Sequence, residues 1–139
     1  MTDALAVAER FFSAIEKGDI EAVRAIYAPD ARIWHNHDRK DQTVEENLRI
    51  LSWMSKNLTN KRYRVQRRVA IPGGFLQQHI LMAETAGGPF ELPACIIVEV
   101  NGGRITRLEE YLDSAQATRL TDLTRGQNAT AAGFTKTAS

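Results

Sequence analysis

Three tandem glycines punctuate the second half of the chain, at Gly73-Gly74, Gly87-Gly88 and Gly102-Gly103. Tight hairpin turns need positive φ angles, which glycine adopts without a side-chain clash. Between the glycines lie Lys61–Ile71, Phe75–Ala86, Phe90–Asn101 and Arg104–Asp113, segments carrying Val, Ile, Leu and Phe. Apolar segments joined by such turns predict a four-stranded antiparallel meander. Strands this long exceed the usual length and must twist and bend.

The first half reads as helices. Leu5, Ala8, Phe12 and Ile15 recur at helical spacing, with Gly18 placed as a C-terminal stop. Asp19 caps a second helix carrying Ile20, Val23, Ile26 and Tyr27, closed by Pro29. Asp30–Asp38 reads as a strand, and Thr43-Val-Glu-Glu46 is a capping-box pattern opening a third helix. Ser114–Thr124 fits a short last helix, and the Ala, Thr, Gly and Ser of 126–139 predict a flexible C-terminal tail after a domain over 1–125. Helices first and a meander afterwards indicate an α+β domain. A bent sheet folded over helices encloses a concavity.

Composition narrows the function classes. The 139 residues make one domain, and 43% hydrophobic with 25% charged is an ordinary globular balance. A net charge of +1 gives no global attraction to nucleic acid or membrane. Cys95 is alone, so no intramolecular disulfide forms and no zinc site can rest on cysteines. No basic-then-apolar leader opens the chain, and the strongest apolar run, Ala94–Val98, is far too short to span a bilayer. A cytoplasmic location is expected.

Lys17-Gly18-Asp19, Ile26-Tyr27-Ala28-Pro29-Asp30-Ala31, Asn101-Gly-Gly-Arg-Ile-Thr-Arg107 and Glu110-Tyr-Leu-Asp113 together resemble the nuclear transport factor 2-like superfamily, in its SnoaL-like or ketosteroid-isomerase-like branch. The resemblance spans roughly residues 3 to 124. It implies a cone-shaped curved antiparallel sheet wrapped around three N-terminal-half helices, a pocket between them, and dimerisation through the sheet's outer face. Members include isomerases, dehydratases, epoxide hydrolases, polyketide cyclases and non-catalytic modules. At the positions of the ketosteroid isomerase tyrosine and two aspartates stand Phe11, His35 and Ile96, so that oxyanion hole is missing. At the positions used by limonene-type epoxide hydrolases stand Trp34, Asn36, His79, Leu81 and Glu110.

Alternation in Phe75–Met82 puts Phe75, Gln77, His79 and Leu81 on one face. On the last strand Thr106, Leu108, Glu110 and Leu112 share a face, leaving a carboxylate among apolar neighbours. With the strands paired as in the family, Glu110 meets His79 across the pocket, orients the imidazole and raises its pKa, making His79 the general base or acid. The same pattern also fits a core histidine and a carboxylate paired with an arginine.

Trp34-His35-Asn36-His37-Asp38 is the densest polar-aromatic cluster. His35 and His37 share a strand face, but no third ligand follows from spacing, and no metal is expected. The isomerase comparison turns His35 inward, whereas the hydrolase comparison turns Trp34 and Asn36 inward. The asparagine favours Trp34, Asn36 and Asp38 inward, with Asn36 holding a water or carbonyl. Lys61–Arg68 carries five cations, yet Arg62, Arg64 and Arg68 alternate with Tyr63, Val65 and Val69 as on a strand with one solvated face, so nucleic acid is not an expected partner. Arg67, by alternation, joins the Tyr63–Val65 face and is placed to pair with a pocket acid.

The expectation is a homodimeric domain that binds a hydrophobic small molecule and performs cofactor-free acid–base chemistry of the isomerase, dehydratase, cyclase or hydrolase type. His79, Glu110 and Asn36 are the catalytic candidates. Trp34, His35, Asp38, Tyr63, Leu81 and Leu108 are the substrate-binding candidates. A non-catalytic ligand-binding or dimerisation module is the alternative.

Overall fold

The computed structural model describes residues 3–124. The expected tail at 126–139 lies outside the described residues. Three helices surround the first strand: α1 (Ala4–Lys17), α2 (Ile20–Ile26), β1 (Tyr27–His35), a short β2 (Lys40–Gln42) and α3 (Val44–Asn57). The meander comes next as β3 (Thr59–Ile71), β4 (Gly74–Thr85), β5 (Gly88–Asn101) and β6 (Arg104–Leu112), and α4 (Ser114–Leu123) closes the described chain. None of these helices is long and apolar enough to cross a membrane.

Each helix begins at a side chain that accepts from its first turn and ends where a backbone N–H of the capping residue closes on a last-turn carbonyl. Asp3 accepts from the Leu5 amide, and Gly18 ends α1 in the left-handed region at φ 71°. Thr43 and Glu46 form both bonds of the capping box on α3, at 3.2 and 2.8 Å. The amphipathic face of α1 buries Val7, Ala8, Phe11, Phe12, Ala14 and Ile15 against the sheet. Truncating a buried phenylalanine there costs about 3–5 kcal/mol.

The sheet runs β2-β1-β6-β5-β4-β3. All pairs are antiparallel except β1 with β6, which is parallel. The meander β3–β6 is antiparallel throughout, as its turns predict, and the parallel β1–β6 pair makes the whole sheet a mixed one. A short turn forces antiparallel neighbours, whereas β1 and β6 are joined through α3 and the first three meander strands and are free of that constraint.

The tandem glycines do two jobs rather than one. At Gly102-Gly103 both residues take positive φ, 61° and 79°, as a two-residue hairpin turn requires. In the other two pairs only one glycine does, Gly73 and Gly88. Gly74 is glycine for space: a Cβ there would overlap the Val98 carbonyl oxygen of β5.

Irregular pairing resets which side chains face inward. The β3–β4 register skips Gln66, and the β5–β6 register skips Thr106. Each extra residue exchanges the two faces for the rest of its strand. Beyond Gln66, Arg67 stands opposite Gln78 and Arg68 opposite Gln77, so Arg68 takes the inner face in place of Arg67.

Candidate active site

The concave face gathers its polar groups from strands that are neighbours in space. In the parallel β1–β6 pair His35 is the register partner of Glu110, and across the antiparallel pair Glu110 lies opposite Ile96. Phe75, Gln77, His79 and Leu81 line up on the inner side of β4, as alternation required. These strands, α1 and α3 surround a cavity of ≈ 50 Å³. Its polar wall is Tyr27, His35, Asn47, Tyr63, His79 and Glu110, and the rest is apolar, including Phe12, Leu81 and Leu108. By the space one water needs, a volume of this size admits a few waters. A larger guest has to displace wall side chains, and Met54 on α3 is the most adaptable of them.

Two hydrogen-bonded pairs dominate the site. His35 Nε2 lies 3.1 Å from Glu110 Oε1, with both side chains largely buried. Burial pushes the Glu110 carboxyl up, but the His35 hydrogen bond and the neighbouring imidazoles outweigh it, so the net direction is down and the carboxylate form is favoured. The Glu110 charge, together with burial as the larger cause, drives the phenols of Tyr27 and Tyr63 upward, so both stay neutral donors. Tyr27 donates its hydroxyl proton to Asn47 Oδ1 at 2.9 Å.

The second pair is His79 Nδ1 with Gln77 Nε2 at 2.8 Å. The His79 ring stands edge-on to Tyr63 and Phe12, 4.8 and 5.6 Å between centroids. Burial moves the His79 pKa down and Arg68 adds to this, against an upward pull from Glu110. Glu110 and His79 thus share one cavity, but Glu110 pairs with His35 and His79 with Gln77. The expected rise in the His79 pKa is a fall, because burial outweighs the carboxylate.

The strand at 31–38 shows the opposite parity to the expected one. Ile33 and His35 face the cavity, whereas Trp34 packs on Tyr111 on the other side of the sheet, 5.3 Å between ring centroids. Asn36 lies just past β1, where its Oδ1 accepts from the Leu112 amide at 2.9 Å and ties the strand end down. Asp38 Oδ1 accepts from the Lys40 amide at 3.1 Å within the turn to β2. Among the described residues no cluster of three or more His, Cys, Asp or Glu side chains stands ready for a metal.

Gln77, Arg68, Tyr27 and Asn47 join the site although the sequence pattern does not mark them as site residues. Alternation along β4 does put Gln77 beside His79. Arg68 is hidden by the bulge at Gln66, and Asn47 by its place on a helix whose periodicity signals only an apolar face.

The SnoaL-like domain profile matches residues 8–108. The chain belongs to the SnoaL-like domain family. This SnoaL-like chain is also similar in fold to solved structures at low identity. PrhC from Penicillium brasilianum NBRC 6234 superposes with a TM-score of 0.79 at 18% identity, covering 96% of this chain and 91% of that one. An M. tuberculosis LEH-like epoxide hydrolase gives 0.71 at 19%, covering 84% and 86%. A Catenulispora acidiphila protein with a ketosteroid isomerase-like fold, solved with trimethylamine, gives 0.68 at 13%, covering 78% and 86%. At these identities the likeness concerns the fold, that of the nuclear transport factor 2-like superfamily. Among curated proteins none matches by sequence.

Proposed function

We propose that this SnoaL-like chain binds an apolar small molecule in the cone cavity and performs acid–base chemistry on it without a cofactor. The observation that carries this reading is the Glu110 carboxylate, buried on the cavity wall and held through one oxygen by His35. A buried carboxylate is costly as structure alone. With Oε1 engaged by His35, the second oxygen is the proton acceptor. His79 stands on the same wall as an uncharged polar group. In this scheme Glu110 removes a proton next to an electron-withdrawing centre and returns it at another position, while His79 supports the charge that develops. His35 is a positioning residue. Tyr63, Leu81 and Leu108 give the guest its apolar contact.

This scheme serves isomerisation, dehydration, cyclisation or, with a water as the proton source, hydrolysis. The epoxide hydrolase among the structural neighbours is one instance of such chemistry on this fold. Two supporting readings accompany it. The outer sheet face leaves Val69, Ile97 and Tyr111 exposed at 44%, 36% and 48%, which favours a homodimer through that face. The unpaired Cys95 suits a reducing cytoplasm.

The test is turnover of a panel of apolar ketones and epoxides, followed by mass spectrometry, with wild type and Glu110→Gln. Loss of about 10²–10⁴-fold in rate in the variant is the result expected for a general base. The small size of the cavity favours one second reading, a non-catalytic binding module. Saturable binding with no turnover by the wild type would establish that reading instead.

A further inference from the structure

Gln77 sits between two groups of unlike hydrogen-bonding character. Arg68 Nε donates to Gln77 Oε1 at 2.6 Å, and Gln77 Nε2 lies 2.8 Å from His79 Nδ1. A guanidinium has no acceptor, so the amide oxygen must face Arg68 and the amide N–H groups must face the imidazole. The amide orientation is therefore forced. Arg68 is itself held from both sides: its Nη1 pairs with Glu9 at 2.9 Å, and its guanidinium lies over the Phe12 ring, 5.8 Å from the centroid. With Gln66 in the strand, the bulge there sets Arg68 opposite Gln77 on the inner face.

We propose that Arg68 and Gln77 are positioning residues that lock His79 in the neutral tautomer with a bare Nδ1 and a protonated Nε2, so that His79 acts in the cavity as a hydrogen-bond donor to a carbonyl or developing enolate oxygen. A donor amide facing Nδ1 is compatible with a lone pair there and incompatible with an N–H. Protonating His79 would put two donors face to face in a buried place. Arg68 adds a positive charge nearby, and burial disfavours the imidazolium as well; of the charged groups around the ring only Glu110 favours it. Tyr63, edge-on to the ring, stays uncharged. His79 is thereby excluded from acting as a base at Nδ1 and suited to stabilising negative charge through Nε2–H. A neutral imidazole donates well to an oxyanion without needing to transfer its proton.

The assignment rests on the cavity being the reaction site, and it names the substrate class: a molecule whose reacting carbon neighbours a carbonyl. No bond to His79 forms or breaks. Glu110 takes the proton from that carbon, the electron pair moves onto the carbonyl oxygen, and the Nε2–H hydrogen bond shortens as charge builds.

The experiment is ¹⁵N NMR of the histidine rings in the folded chain between pH 6 and 8, with His79 assigned by its loss in His79→Gln. A protonated Nε2 and bare Nδ1 are expected throughout this range in the wild type. Gln77→Glu replaces the donor with an acceptor of the same shape and is expected to move the proton to Nδ1 or charge the ring. Arg68→Gln, which frees the amide to turn, is expected to give both tautomers, and it serves if Gln77→Glu does not fold. A wild-type His79 protonated on Nδ1, or a tautomer indifferent to both substitutions in folded protein, would overturn the lock. A ¹³C-labelled aryl ketone then reads the donor role. Its carbonyl resonance is expected to shift on binding wild type, and its affinity to fall about tenfold in Gln77→Glu. Equal affinity for both proteins would overturn the donor role. If the ketone binds neither protein while the tautomer is as expected, the cavity reading and the carbonyl role fall and the lock stands.

Discussion

His35 Nε2 and Glu110 Oε1 meet at 3.1 Å because parallel pairing of β1 with β6 sets the two residues side by side on the concave face. The contact joins residues far apart in sequence through a strand pair that no turn connects.

Glu110→Gln should keep the shape of this contact and remove its charge. Turnover is expected to fall by about 10²–10⁴-fold, while thermal unfolding should show a cost of about 1.5–3 kcal/mol at most, the worth of a hydrogen bond to a charged group. A loss of activity no larger than the loss of folded protein would speak against a chemical role.

The parity of β1 predicts unlike outcomes at adjacent positions. Asn36→Ala should destabilise by about 1–3 kcal/mol, since the Leu112 amide loses its acceptor, yet leave the affinity of a cavity ligand unchanged. Trp34→Ala should spare the ligand too and expose Tyr111. His35→Ala should weaken both binding and turnover. Calorimetric titration of the three variants with one ligand decides between this parity and its opposite.

Stability should fall on mild acidification. The folded-state pKa of His79 lies below the ordinary histidine value of 6.5 for burial above all, and His37 moves the same way for the same cause. The unfolded chain then binds more protons just below pH 6.5, so the contribution is full above that pH and is lost as pH falls toward the folded value. The slope from His79 is at most about 1.4 kcal/mol per pH unit, with less from the more open His37. Glu110, depressed instead, keeps its full contribution above the ordinary glutamate value and loses it as pH falls from there through its lower folded value, giving a separate and lower acid phase. Urea unfolding from pH 8 down to pH 3 in unit steps measures both phases, and the first should flatten in His79→Gln.

Neighbouring glycines should respond differently to alanine. Gly73→Ala meets open space and pays only for its positive φ of 79°, about 1–2 kcal/mol. Gly74→Ala drives a methyl group into the Val98 carbonyl and should cost about 3 kcal/mol or more, at the top of the range for overpacking. Equal midpoints in urea for the two variants would contradict the division of labour between them.

The glycine spacing, the helix caps and the alternation along β4 were enough to read the meander, the helices and the inward set of Gln77, His79 and Leu81. Each of those signals is local. Three features of the site are not local. The parallel approach of β1 to β6 turned His35 inward and Trp34 out. The extra residue at Gln66 brought in Arg68 where alternation pointed to Arg67. The balance between burial and a nearby carboxylate, which sends His79 down rather than up, depends on how tightly Phe12 and Tyr63 enclose it. A bulge leaves no composition signal, and a one-residue slip reverses every assignment beyond it.

That slip carries a consequence of its own. With Val65 opposite His79, regular pairing would bring Arg67 to Gln77, and the skipped Gln66 brings Arg68 there instead. Because the two residues are the same, the strand delivers a guanidinium to that glutamine in either register. Deleting Gln66 would also keep Arg68 in place and simply iron out the strand. The paired arginines make this corner of the molecule tolerant of single-residue changes in strand length, so descendants of such a chain can gain or lose a residue at Gln66 without disconnecting the amide from its cation.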